Sequence, residues 1–118
     1  MTDKILYVGA QKEDAMSCEL EDRFHQKMVE VYDCARKECR YTATRFLQMV
    51  TTHGGLAAAK MLLASKHHPE GLTRLWEAGR LDISMEALVL CNPWASLFSE
   101  EELSVARKRL QDLGYADV

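Results

Sequence analysis

The sequence predicts an all-α fold: a compact bundle of about five or six helices, with longer first and last helices and short central ones. Three observations carry this. Apolar residues recur at helical spacing in several segments. Serine caps, glycine stops and X-Pro breaks punctuate those segments. No stretch shows the period-two alternation of a half-buried strand, and no internal repeat emerges. A chain of 118 residues suits one domain.

Residues 1–16 carry no sustained helical pattern. Lys4 to Ala10 (KILYVGA) is a short apolar run, and a lone strand is unstable in water. This stretch is therefore expected to be a loosely ordered arm, or a segment that pairs with a partner chain, ahead of one helical domain at 17–118. Ser17 offers an N-cap, followed by Glu19, Glu21 and Asp22 where negative charge meets the positive helix end. Leu20, Phe24, Met28, Val31 and Ala35 then form one apolar stripe, so the first helix should end near Cys39 or Arg40.

Thr42 is the expected cap of a short second helix whose inner face is Phe46, Met49 and Val50. Gly54-Gly55 breaks the chain. Leu56 to Ser65 is rich in strong helix formers, with Leu56, Ala59, Leu62 and Leu63 at core spacing, and His67-His68-Pro69 ends it. Gly71 to Ala78 should form another short helix, with Leu72, Leu75 and Trp76 inward and Gly79 as its stop. Ser84 caps a helix through Leu90 that Asn92-Pro93 closes. Ser99 and Glu102 make a capping box for the last helix, which carries Leu103, Ala106, Leu110 and Leu113 and stops at Gly114. Arg107, Lys108 and Arg109 sit in its C-terminal half, where positive charge suits the dipole.

Five blocks in this order and spacing resemble an uncharacterised bacterial family of small helical domains. They are YTATRFLQMV (41–50), GGLAAAKMLL (54–63), GLTRLWEAGRLDISMEALVL (71–90), W-x-x-LF-S-x-E-EL (94–103) and ARKRLQDLGY (106–115). The likeness reaches back to near Phe24, and the first eighteen or so residues depart from it. It implies a bacterial helical domain and brings no established activity with it.

Cys18, Cys34, Cys39 and Cys91 form no Cys-x-x-Cys pair, and with no export signal they read as reduced thiols in the cytoplasm. Cys34 and Cys39 lie about 140° apart around a helix, and His25, His53, His67 and His68 offer no His-x-x-x-His step. No metal site and no cofactor is expected. Nor is a membrane span, because no apolar stretch approaches the ~20 residues required.

Glu77, Arg80, Asp82 and Glu86 form the densest polar cluster. An enzyme would use Asp82 and Glu86 as a carboxylate pair, with Arg80 holding an anion. Capping accounts better for the order of an acid, a hydroxyl and a second acid, with Arg80 paired to Glu77 or Asp82. No catalytic residue is assigned. Trp76, Trp94 and Phe98 read as core aromatics rather than a base-stacking platform. Trp94, Leu97 and Phe98 also form a local surplus of large apolar groups, a candidate partner surface.

The net charge is −3, but it is unevenly spread. Residues 1–22 hold two basic and six acidic groups, and residues 36–80 hold eight basic and three acidic. Arg36, Lys37, Arg40 and Arg45 are the candidate contacts for an anion or nucleic acid. Dedicated nucleic-acid domains usually have a pI above ~9, against 5.8 for this chain. The expected function is thus a non-catalytic protein–protein interaction or accessory module, with another protein or a second copy as partner. A nucleic-acid-binding domain built on residues 36–80 comes next, and an enzyme with an unrecognised site third.

Overall fold

The computed structural model describes the backbone of residues 2–65 and 70–115, and the side chains of residues 19–65 and 71–115. It is all-α. Helix α1 spans Thr2–Cys39, α2 Thr44–His53, α3 Gly55–Ala64, α4 Glu70–Glu77, α5 Met85–Val89 and α6 Glu100–Asp112. Two short 3₁₀ turns, Leu81–Ile83 and Trp94–Leu97, flank α5. Among the described residues there is no strand.

The 38 residues of α1 make it the spine. At 1.5 Å per residue such a helix is about 57 Å long, which matches the 59 Å longest dimension of the molecule. α2, α3 and α4 pack against it. The helix begins at Thr2, so the start expected at Ser17 is corrected: Ser17 lies within a continuous helix. Ala10 to Met16 is mostly strong helix formers with no proline, so nothing there halts propagation. The loose attachment expected of residues 1–16 concerns side chains outside the described residues.

At its other end α1 stops with Arg40 in the left-handed region, φ 55°, and Tyr41 N–H donating to the Ala35 carbonyl at 3.1 Å. That turn displaces the second helix. α2 starts at Thr44 behind Ala43, with no side-chain cap, and Thr42 contributes only its carbonyl to the Thr44 amide.

The closest joint is between α1 and α3. A Cβ on Gly55 would lie 2.6 Å from the His25 Cα, so only glycine fits. Gly55 N–H donates to His25 Nδ1 at 2.9 Å, supplying an acceptor that the glycine N-cap Gly54 lacks. Around this joint lies the main core: Phe24, Met28, Val50, Ala58, Ala59, Leu63, Trp94 and Phe98 among others. Phe24 is fully buried, with ring centroids 5.9 Å from Trp94 and 5.5 Å from Phe98. A second cluster joins Ala35, Leu72, Leu75, Leu81, Ala87 and Leu110.

The expected punctuation of the C-terminal half is present. Gly79 and Gly114 adopt φ 71° and 82°, and each closes a Schellman motif. Arg80 N–H reaches Leu75 and Gly79 N–H reaches Trp76 in the first; Tyr115 reaches Leu110 and Gly114 reaches Gln111 in the second. Ser84 Oγ accepts from the Ala87 amide at 3.1 Å and donates to the Leu81 carbonyl at 2.7 Å. Ser99 and Glu102 form the full capping box, and Lys60 Nζ donates to the same Glu102 oxygen at 2.8 Å. The His67-His68-Pro69 break lies outside the described residues; the α3 helix itself ends at Ala64.

Candidate functional site

Of the basic residues singled out by sequence, Arg36, Lys37 and Arg40 sit together at the C-terminal end of α1, all exposed, and Arg45 lies in the first turn of α2, also exposed. Arg36 approaches Asp33 at 3.6 Å. Lys37, Arg40 and Arg45 make no ion pair among the described residues. Other members of the 36–80 block are committed within the fold. Lys60 pairs with Glu102 and lies 5.1 Å from the Phe98 ring centroid, and Arg74 stacks on Tyr41 at 5.0 Å. Lys66 lies outside the described residues.

α4 brings a hydrophobic group to the same end. Trp76 is 48% exposed, a correction to its expected inward position. Leu72 and Leu75 fill the inner stripe of this short helix, and the indole is left on its shoulder. Two contacts link these segments: Arg74 of α4 stacks on Tyr41, just past α1, and Arg80, just past α4, pairs with Glu38 of α1. The exposed indole and the cations of α1 therefore share one end of the molecule.

The polar cluster 77–86 splits in two. Arg80 Nε and Nη2 donate to the two Asp82 oxygens at 3.0 and 3.2 Å, while Nη1 reaches Glu38. Hydrogen bonding from Arg80, against a smaller opposing effect of burial, holds the Asp82 carboxyl below its ordinary value. The hydrogen bonds to Asp82 and Glu38 raise the guanidinium in turn. Glu77 is exposed and is not the partner of Arg80.

Glu86 is engaged elsewhere. It is 3% exposed and pairs with Arg109 at 3.2 Å. Asp82 and Glu86 thus do not converge, and the carboxylate pair considered for an enzyme is not assembled. Arg109 lies in the last turn of α6, as expected, but it is buried and reaches across to α3. Its Nη2 donates to the carbonyls of Leu62 and Ser65 at 3.0 and 2.7 Å, capping a helix end with no basic residue of its own. Nothing local in the sequence marks this role.

The candidate partner surface at Trp94, Leu97 and Phe98 is corrected as well. Trp94 and Phe98 are 9% and 8% exposed, packed on Phe24, and Leu97 is partly buried against the same cluster. The 3₁₀ turn points their rings inward, so this surface is core.

Two cavities adjoin along α1, with Val31 and Ser84 in the wall of each. One, of about 510 Å³, is bordered by Lys27, Glu30, Cys34, Asp82, Cys91 and Arg107. The other, of about 300 Å³, lies between α1, α2, α4 and α5 and is mostly apolar. Cys34, Cys39 and Cys91 are free thiols. Among the described residues, no three His, Cys, Asp or Glu side chains converge to hold a metal ion. None of the helices is long and apolar enough to cross a membrane, again among the described residues. Comparison with protein-family models, with curated proteins and with solved structures found no match, so the fold and these surfaces alone bear on function.

Proposed function

We propose that this chain is a non-catalytic association module, in which the cationic, indole-bearing end of one copy takes the acidic first 22 residues of a second. The observation that carries the reading is Trp76, 48% exposed at the end of the fold where α1 presents Arg36, Lys37 and Arg40. A large exposed aromatic at the same end as these cations suits an anionic partner with an apolar anchor point. The chain itself supplies such a partner, since residues 1–22 carry six acidic and two basic groups within the same long helix. Antiparallel approach of two α1 helices sets each acidic half against a basic end, which satisfies the isologous contact of a two-fold dimer. Free thiols and the lack of a spanning helix among the described residues support a cytoplasmic setting.

Sedimentation velocity over a concentration series tests this. A dimer that weakens as salt rises from about 50 to 500 mM is expected, because exposed charges are screened over that range. A monomer at every concentration and salt contradicts it.

Nucleic acid is the second reading, and the same indole favours it: single-strand binders combine base stacking on aromatics with backbone-tracking cations. Titration with a thymidine oligonucleotide at low salt separates the two. Quenching of Trp76 that disappears with added salt supports this reading, and unchanged fluorescence removes it.

A further inference from the structure

The smaller cavity, about 300 Å³, has apolar walls that include Phe46, Met49, Leu62, Leu75 and Met85. Its charged lining residues are Glu86 and Arg45, and its hydroxyls are those of Tyr32, Tyr41 and Ser84. Glu86 is paired with Arg109, and the Ser84 hydroxyl bonds the Leu81 carbonyl and the Ala87 amide. Arg45 is exposed in the first turn of α2 and has no ion pair among the described residues.

An apolar slot with one spare guanidinium suits a ligand with an apolar body and a single carboxylate, since arginine matches that group through two parallel hydrogen bonds. Size narrows the class further. The volume sits at the low end of the ~300–1,000 Å³ range of small-molecule pockets, and a helix about 10 Å across does not enter it. Met49 and Met85 give the walls an adaptable, polarisable surface for an alkyl chain. We infer that this cavity binds a medium-chain carboxylic acid, its head group on Arg45 and its chain against Met49, Leu75 and Met85. The site is independent of the association proposed above, which draws on Arg36, Lys37, Arg40 and Trp76.

The test uses the full chain with ¹³C-labelled methionine methyl groups, titrated with octanoate and, separately, with octanol. Octanoate is expected to shift Met49 and Met85 saturably and to leave Met61, exposed and outside the cavity, unmoved. Octanol is expected to bind the same methyls at least about ten-fold more weakly, because it lacks the charged head group that Arg45 would hold. Arg45→Gln should bring octanoate down to the octanol level and leave octanol itself unchanged. No shift at Met49 and Met85, equal binding of acid and alcohol, or octanoate affinity undiminished in Arg45→Gln overturns the inference.

Discussion

Glu86 and Arg109 face each other across 3.2 Å in the interior, joined from α5 and α6, and the same guanidinium holds the last carbonyls of α3. One buried cation thus fastens three helices. Burial of a charge is tolerated only when it is paired and bonded, and both conditions are met here. Arg109→Met should cost about 3–5 kcal/mol, because it removes one side of a buried ion pair and the donor to the carbonyls of Leu62 and Ser65. Adding Glu86→Leu should recover part of that loss, so the double variant unfolds at higher urea than Arg109→Met alone. A double variant less stable than the single one contradicts the coupling.

Gly55 offers a test of sign. Alanine is normally the better helix former by about 1 kcal/mol, so propensity alone makes Gly55→Ala stabilising. The 2.6 Å approach of its Cβ to the His25 backbone demands separation of α1 from α3. A loss of about 2 kcal/mol or more is expected in chemical denaturation, on the scale of overpacking a core. A gain in stability contradicts the close crossing.

Glu102 links stability to acid. Burial pushes its carboxyl up, but the hydrogen bonds from Lys60 and the Ser99 amide outweigh it and leave the group below the ordinary value of 4.5. A depressed carboxyl stabilises the fold above its unfolded pKa, and that contribution is lost as pH falls through the folded one. Acid should therefore loosen the start of α6 below about pH 4.5, and Glu102→Gln should flatten this part of the pH profile. Ser99→Ala, which removes the other half of the box, should cost about 1 kcal/mol at neutral pH.

The two tryptophans should behave as opposites. Trp94→Ala opens a cavity beside Phe24 and should cost about 3–5 kcal/mol. Trp76→Ala, on an exposed shoulder, should change stability by no more than about 0.5 kcal/mol. Acrylamide quenching is expected to resolve one accessible and one protected indole. A single protected class contradicts the placement of Trp76.

What was legible in the sequence was local. The caps at Ser84 and Ser99 and the stops at Gly79 and Gly114 need only residues within one turn, and the helix count follows from them. The start of α1 was misread because Ser17 and its acidic neighbours carry cap-like chemistry, which is permitted in mid-helix when no break precedes it. Tertiary placement was not legible. Whether Trp94 turns inward depends on Phe24, and whether Trp76 does depends on which side of α4 meets the cluster of Ala35 and Leu110, all far away in sequence. Arg109 is the same case: its partners lie 23 to 47 residues distant, so nothing local separates it from Arg107 and Lys108. The basic residues at the end of α1 are legible in the sequence, and the exposure of Trp76 is not.

The association of an acidic half-helix with a basic, Trp76-bearing end is most directly tested by charge exchange. One variant carries Arg36→Glu and Lys37→Glu, the other Glu13→Lys and Asp14→Lys, and each is followed by light scattering alone and in equimolar mixture. Each should be monomeric alone, since like charges then meet at both contacts, and the mixture should form a heterodimer. A mixture that stays monomeric, or single variants that dimerise as well as the native chain, contradicts the proposed pairing.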